Sequence, residues 1–387
     1  MSRHDFQIPI NFKHRIAFTR NAFDPENPCL GEILAEGGGR RALVCIEENV
    51  ATAWPDLAEA ASAYTTCHGL EACKPLALAG GESVKNDTTL VERVWREIDH
   101  AKLDRHSYLL CIGGGAFLDA VGLAAATAHR GVRLVRFPTT TLAQDDSGVG
   151  VKCAINYFGK KNWVGAFAVP FAVINDFRFL HSQPEESRRA GLIEAVKVAL
   201  VKDRKFFDWI ERHAEALHAL DPATLEPCVE RSALAHASHI AAGGDPFEHG
   251  SSRPLDFGHW AAHKLEAMTS MRLSHAEAVS IGMAIDCNYA TAAGHLDPQT
   301  CQRIIHVLRA LDMPLFHPAL DVRDDHDRRV VYQGLDEFRE HLGGALTILL
   351  PITPGKMIEV GELDTALLDS CIDALKTGDT PAVLAAG

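Results

Sequence analysis

The chain has 387 residues, 47% of them hydrophobic and 23% charged, and a formal net charge of −13. That length leaves room for two domains with sizeable cores, and the composition is that of a globular enzyme. The acidic balance argues against nucleic acid or an anionic membrane as the main partner, so an anionic small substrate would need a local basic pocket. No basic-then-apolar leader opens the sequence, and no apolar run approaches the roughly 18 residues of a membrane span.

The ten cysteines (Cys29, Cys45, Cys67, Cys73, Cys111, Cys153, Cys228, Cys287, Cys301 and Cys371) are scattered, without a C-x-x-C pair. Buried free thiols in a reducing cytoplasm are the expectation, not a disulfide framework.

In chain order, short apolar runs alternate with helical patterns. RALVCIEE (41–48), SYLLCIGGG (107–115), VRLVRFPTTT (132–141) and FAVINDF (171–177) read as buried strands. TTLVERVWREIDHAKL (88–103) and AFLDAVGLAAATAHR (116–130) read as helices between them. The alternation predicts an α/β fold: an N-terminal Rossmann-like parallel sheet over residues 1–180. HSQPEESRR punctuates the chain near 178–186, and beyond it strands nearly vanish. A mainly helical, metal- and substrate-binding domain is expected over 181–387, with one late strand in ALTILLPI (345–352) and a closing helix in LDTALLDSCIDALK. The tail TPAVLAAG is expected to pack poorly.

IGGGAFLD (112–119) follows a strand and opens a helix, so Gly113, Gly114 and Gly115 let backbone approach a pyrophosphate at a helix N-terminus. The strict G-x-G-x-x-G spacing is absent, and a plain strand–helix turn would read the same way. GGESVKND (80–87) adds a second polar turn with Glu82 and Lys85. FPTTTLAQDDSGVG (137–150) places Thr139, Thr140 and Thr141 just past a strand's carboxyl end, where open α/β sheets bind ligands.

RPLDFGHWAAHKLEAMTSMRLSHAEAVSIG (253–282) carries His259, His263 and His275. His259 and His263 are four apart and share a helix face; neutral imidazoles suit zinc, and a catalytic site keeps an open position. A lone histidine here would be a hydrogen-bonded core residue, but the group predicts a metal. GLIEAVKVAL (191–200) carries Glu194 and Lys197 at i, i+3 in an apolar helix, and Glu194 is a possible third ligand.

Several motifs coincide in order: GGESVKN, IGGGAFLDAVG, AAATAHRGV, PTTTLAQDDSGVGVKCAIN, GKKNWVGAF, GLIEAVK, FGHWAAH and LSHAEAVSIG. Together they resemble the sugar phosphate cyclase superfamily, whose best-known member is 3-dehydroquinate synthase, closely over residues 78–285 and loosely elsewhere. The resemblance implies a two-domain, NAD- and metal-dependent enzyme, usually a homodimer, acting on a small sugar phosphate. By motif it implies Glu194, His259 and His275 as ligands of a divalent metal, zinc or cobalt. It places Asp146, Lys152, Lys161, Asn162, Lys197, His263 and Asp256 in the active site, with Arg130 meeting the substrate phosphate from the neighbouring subunit. Glu82, Lys85, Gly113, Gly114, Gly115, Asp119, Thr139, Thr140, Asp146 and Lys161 are the candidate NAD-binding residues. Lys152, Lys161, Asn162 and Arg130 would supply the basic patch that an acidic chain needs for a phosphate. Taken alone, Lys160–Lys161 could be a solvated turn and Asp146 a helix cap. The implied chemistry is transient oxidation of a ring hydroxyl by NAD⁺, phosphate elimination, return of the hydride, ring opening and intramolecular aldol closure.

Departures from the dehydroquinate synthase pattern bear on the substrate. Its N-x-G-H reads DFGH here, giving Asp256; its substrate-facing lysine aligns with His236; its arginine is shifted or lost near Arg253; its late paired lysines give way to FREHLGG (338–344). Charge-assisted hydrogen bonds contribute roughly 1.5–3 kcal/mol each, so two or three missing cations would weaken carboxylate binding strongly. GGDPFEHGSSRPLDFGHWAAHKLE is instead similar to the branch of sedoheptulose 7-phosphate cyclases that includes 2-epi-5-epi-valiolone synthase. The alternatives are a 3-dehydroquinate synthase acting on the carboxylated sugar phosphate, a metal-dependent polyol or alcohol dehydrogenase of the same fold, and a non-catalytic nucleotide-binding descendant.

Overall fold

Contacts divide the chain into two units, Met1–Thr139 with Gly150–Ser182 and Thr140–Val149 with Gln183–Gly387. The computed structural model describes residues 2–158, 160–242, 247, 254–341 and 346–378. The tail from 380, Arg253 and residues 342–344 of the FREHLGG stretch lie outside the described residues.

The first unit contains β1 (Ile16–Thr19), α1 (Cys29–Gly37), β2 (Arg41–Glu47), α2 (Glu48–Ala53), α3 (Leu57–Cys67), β3 (Glu71–Ala72) and β4 (Leu76–Leu78). It continues with α4 (Thr89–His100), β5 (Tyr108–Gly113), α5 (Gly115–Thr127), β6 (Arg133–Pro138), β7 (Lys152–Tyr157), β8 (Lys160–Phe167) and β9 (Ala172–Asp176). One sheet runs β1-β9-β6-β5-β2-β3, with β4 also on β2 and every pairing parallel. β5 is buried along its whole length, which is why it reads as a continuous apolar run and not an alternating one. α4 buries only Leu90, Val91, Val94 and Ile98, one stripe at helical spacing. Each such side chain gains about 1.5–3 kcal/mol on burial, so a charge at Val94 would break the docking of α4.

The strands expected from the sequence are present as β2, β5, β6 and β9, and the two expected helices as α4 and α5. The antiparallel β7–β8 hairpin was not anticipated. Its β8 strand is mostly exposed and shows no buried alternation to read. Arg136, fully buried on β6, fixes the start of β7 by donating to the Gly150 and Lys152 carbonyls at 2.7 and 3.0 Å.

The second unit is mainly helical: α6 (Glu185–Ala190), α7 (Ile193–Lys202), α8 (Arg204–Arg212), α9 (Ala214–His218), α10 (Pro222–Ala242), α11 (His259–Met268), α12 (His275–Ala292), α13 (Pro298–Ala310), α14 (Gln333–His341) and α15 (Thr365–Thr377). The late strand is β10 (Ile348–Thr353), paired antiparallel with β11 (Lys356–Val360). α7 and α12 are apolar nearly all round, and α12 is buried from Ala278 to Ala292. Ser274 caps α12 in a reciprocal capping box with Glu277, which sets His275 as the first helical residue. Thr140–Val149 precedes the expected boundary near 180 yet packs within this unit, as a single π-type turn (Ala143–Ser147) against α7 and α10. No helix among the described residues is long and apolar enough to cross a membrane.

Candidate active site

Two glycines bring α11 against α12. Gly258 has φ +79°, and a Cβ there would lie 2.9 Å from the Met283 nitrogen; one on Gly282 would lie 2.0 Å from the Gly258 carbonyl oxygen. Only glycine fits either position. Asp286 on α12 secures the same turn, accepting from Gly258 N (3.1 Å) and Trp260 Nε1 (2.8 Å). The approach sets His259, at the start of α11, beside His275, with ring centroids 5.3 Å apart. His263 lies one turn on, 5.3 Å from His259 and 6.2 Å from His275 by the same measure.

Glu194 on α7 completes the group. Ligating atoms of Glu194, His259 and His275 all lie within 4.8 Å of one another. Glu194 is 1% exposed and ion-paired with Lys197, and its Oε1 lies 3.9 Å from His275 Nε2. That oxygen has no hydrogen-bond donor among the described residues. Burial pushes the Glu194 carboxyl up, against the opposing pull of Lys197. His259 is held well below the ordinary imidazole range by burial and then by Lys197, and so stays neutral. Its Nδ1 lies 3.0 Å from the Phe257 carbonyl, which assigns the proton there and leaves the Nε2 lone pair free. A buried carboxylate oxygen without a hydrogen-bond donor among the described residues and two imidazoles are the ligand set of a divalent metal with one position open.

The sequence-singled residues of this unit gather around the cluster. Asp146, in the π-type turn, lies 2.6 Å from His236 Nδ1 on α10; burial would raise its carboxyl, but His236 and Lys197 hold it below the usual range. Asp146 therefore pairs with a histidine and caps no helix. Asp256 adds a third negative field at Lys197, whose ammonium burial lowers but Glu194 and Asp146 raise. His263 is exposed. A second group of ligating atoms, His263, Glu266 and His275, also falls within 4.8 Å. Asp145 is buried beside Glu194 and Asp146, and burial pushes its carboxyl well up. Neither Asp145 nor Glu266 was singled out from the sequence. The i, i+4, i+7 spacing of His259, His263 and Glu266 was the signal for the second of them.

The first unit holds a separate polar cluster. Lys85 Nζ meets Asp119 Oδ2 at 2.5 Å and Asn162 Oδ1 at 2.6 Å, and burial raises the Asp119 carboxyl against the pull of Lys85. The N-terminus of α5 has no side-chain cap, and Gly113 admits no Cβ, since one would lie 2.5 Å from Phe117. A glycine-cleared, uncapped helix start fits a pyrophosphate. Glu47, unnoticed in the sequence, accepts from Gly81 N (3.0 Å) and Gly114 N (2.7 Å), so the Gly114 amide is already committed. Gly115 opens the helix itself, Thr139 N donates to Gly113 O (3.0 Å), and Glu82 starts the short turn that carries Lys85. Thr140, in the second unit, caps the π-type turn through its Oγ1 to Ala143 N (3.2 Å).

The expected basic patch is not one cluster within this chain. Lys152 pairs with Phe167 at the open end of the hairpin, and Lys161 stands beside the Tyr157–Lys160 pair near its turn. At about 3.3 Å per residue that separation is about 13 Å along the hairpin. Asn162 turns to Lys85 instead. Arg130 is exposed past the end of α5, about 20 Å along the helix from the glycine turn.

A parallel sheet with a glycine-lined turn and a helical unit with a buried Glu/His/His cluster is the architecture of a nucleotide-dependent metalloenzyme. Residues 75–190 match the 3-dehydroquinate synthase N-terminal family and residues 191–329 the 3-dehydroquinate synthase C-terminal family. The chain is 31% identical over 376 residues to 2-epi-5-epi-valiolone synthase of Streptomyces glaucescens, covering 96% of this chain and 93% of that one. It is 35% identical over 300 residues to 3-dehydroquinate synthase of Halorhodospira halophila, covering 77% and 82%. Among solved structures, 2-epi-5-epi-valiolone synthase from Streptomyces hygroscopicus subsp. jinggangensis, with NAD⁺ and Zn²⁺ bound, superposes with a TM-score of 0.86 at 27% identity over 97% of this chain and 100% of that one. The chain belongs to the 3-dehydroquinate synthase family, and so to the sugar phosphate cyclases.

Proposed function

We propose that this NAD- and metal-dependent lyase closes an uncarboxylated heptulose phosphate, sedoheptulose 7-phosphate, into a carbocycle. The observation that carries the reading is the 2.6 Å contact of His236 with Asp146, where a carboxylate-binding enzyme of the family would present a lysine. Among the described residues around the cluster, Asp146, Asp256 and Glu266 outnumber the cation Lys197, itself paired with Glu194. A substrate carboxylate would enter that field at a Coulombic cost, whereas a neutral polyol would not. The near full-length similarity to 2-epi-5-epi-valiolone synthase supports the same choice.

Glu194, His259 and His275 would hold the metal, zinc or cobalt, which supplies a Lewis acid that polarises a substrate hydroxyl. Glu82, Lys85, Gly113, Gly114, Gly115, Asp119, Thr139, Thr140, Asp146 and Lys161 are the residues assigned to NAD, which supplies reversible hydride acceptance. Lys197, ion-paired with Glu194, opposes the burial that pushes the Glu194 carboxyl up. His263, exposed beside both ligand histidines, is placed to hydrogen-bond a substrate hydroxyl or move its proton. Asp146 and His236, 2.6 Å apart, orient each other. Lys152, Lys161 and Arg130 are assigned the phosphate contacts; their spacing along one chain suits a homodimer in which Arg130 serves the partner's site. Ten cysteines without a disulfide suit a cytoplasmic enzyme.

The test is incubation with NAD⁺ and zinc or cobalt, offering sedoheptulose 7-phosphate and its carboxylated counterpart separately. Phosphate release from the first, a cyclic product by NMR and no net NADH are expected. Release from the carboxylated sugar alone would make the chain a 3-dehydroquinate synthase, and NADH accumulation from a simple alcohol would make it a dehydrogenase.

A further inference from the structure

Each ligand histidine has one ring nitrogen toward Glu194 and needs its other nitrogen held. For His259 the holder is the Phe257 carbonyl at 3.0 Å. For His275 the nitrogen facing Glu194 is Nε2, and Nδ1 points the opposite way, 3.4 Å from Glu266 Oε2. Glu266 is 2% exposed and lies on α11 two turns beyond His259, on the helix face that meets His275. A carboxylate brought this deep is retained where it neutralises or orients another group.

We infer that Glu266 is a positioning residue for the metal: its carboxylate accepts the Nδ1 proton of His275, fixes the ring so that Nε2 addresses the metal, and makes that nitrogen a stronger donor. The inference rests on the Glu194, His259 and His275 reading. It also decides what the second group of donors is. One imidazole cannot aim Nδ1 at a second metal while donating that proton to Glu266, so His263, Glu266 and His275 do not form an independent ion site.

The test is metal affinity, read by chelator competition on the apo-protein, together with the visible absorption of the Co²⁺ form. The Glu266→Gln variant keeps volume and loses the charge. Wild type is expected to bind one metal, Glu194→Gln to lose it, and Glu266→Gln to bind about 10- to 100-fold more weakly. Its Co²⁺ band should change while the apo-protein melts as wild type does, which a merely structural glutamate would not produce. Should Glu266→Gln fail to fold, Glu266→Asp carries the same test by drawing the carboxylate back from Nδ1. Unchanged affinity in the folded variant overturns the inference but leaves the metal reading intact. Two metals in wild type falling to one in Glu266→Gln overturns it in favour of a second site. A wild type that binds no metal overturns both.

Discussion

The two polar clusters differ in how their buried charges are satisfied. In the first unit they close on one another: Lys85 meets Asp119 and Asn162, and Glu47 takes two backbone amides. In the second unit Glu194 keeps an oxygen with no donor among the described residues, facing two imidazoles. A closed network holds a shape against which a nucleotide can lie. An open one is finished only by a cation, because a buried carboxylate oxygen without a partner costs about 1–3 kcal/mol or more.

That contrast can be broken most severely at Glu194. Glu194→Ala leaves Lys197 buried without its counter-charge, so a loss of about 3–5 kcal/mol in chemical unfolding is expected, together with loss of zinc in competition titrations. Retained zinc affinity would show that the cluster is closed after all.

Asp286 gives the next largest effect. Burial pushes its carboxyl up to about 7 from 3.8, so the folded chain keeps a proton that the unfolded chain releases. Stability from this group is full below about pH 4 and falls by about 1.4 kcal/mol per pH unit as the pH rises toward 7. Asp286→Asn should flatten that slope in urea unfolding of the apo-protein. An unaltered slope would mean that water reaches the carboxyl.

In the first unit, Lys85→Met opens the closed cluster and removes charge-assisted bonds of roughly 1.5–3 kcal/mol each. NAD⁺ should then bind about tenfold more weakly or worse by fluorescence titration. A stability loss with no change in NAD⁺ affinity would make the cluster purely structural. The smallest effect is expected from His236→Lys, which trades the Asp146 partner for a free-reaching cation. It should raise kcat/KM for the carboxylated sugar relative to sedoheptulose 7-phosphate by about tenfold. No change in the ratio would remove His236 from substrate selection.

Much of this organisation is legible without coordinates where one element carries the whole signal. The continuous apolar run of β5, the stripe of α4 and the i, i+3 pair on α7 are local properties of the chain. The β7–β8 hairpin escaped because β8 is exposed along most of its length and has no buried face to impose a period. The lysines looked like one patch because sequence proximity hides the length of an extended strand: Lys152 and Lys161 flank opposite ends of the hairpin.

The sequence by itself determined the alternating sheet and the helical second half, since periodicity is written along the chain, and its motif resemblance implied the Glu194, His259 and His275 group. Only the tertiary structure decided the partners: Glu47 with Gly114, 67 residues away, Asp146 with His236, and Glu266 with His275. The reason is physical. A carboxylate's role is set by the donor it meets after folding, and no local pattern specifies a donor on a different element.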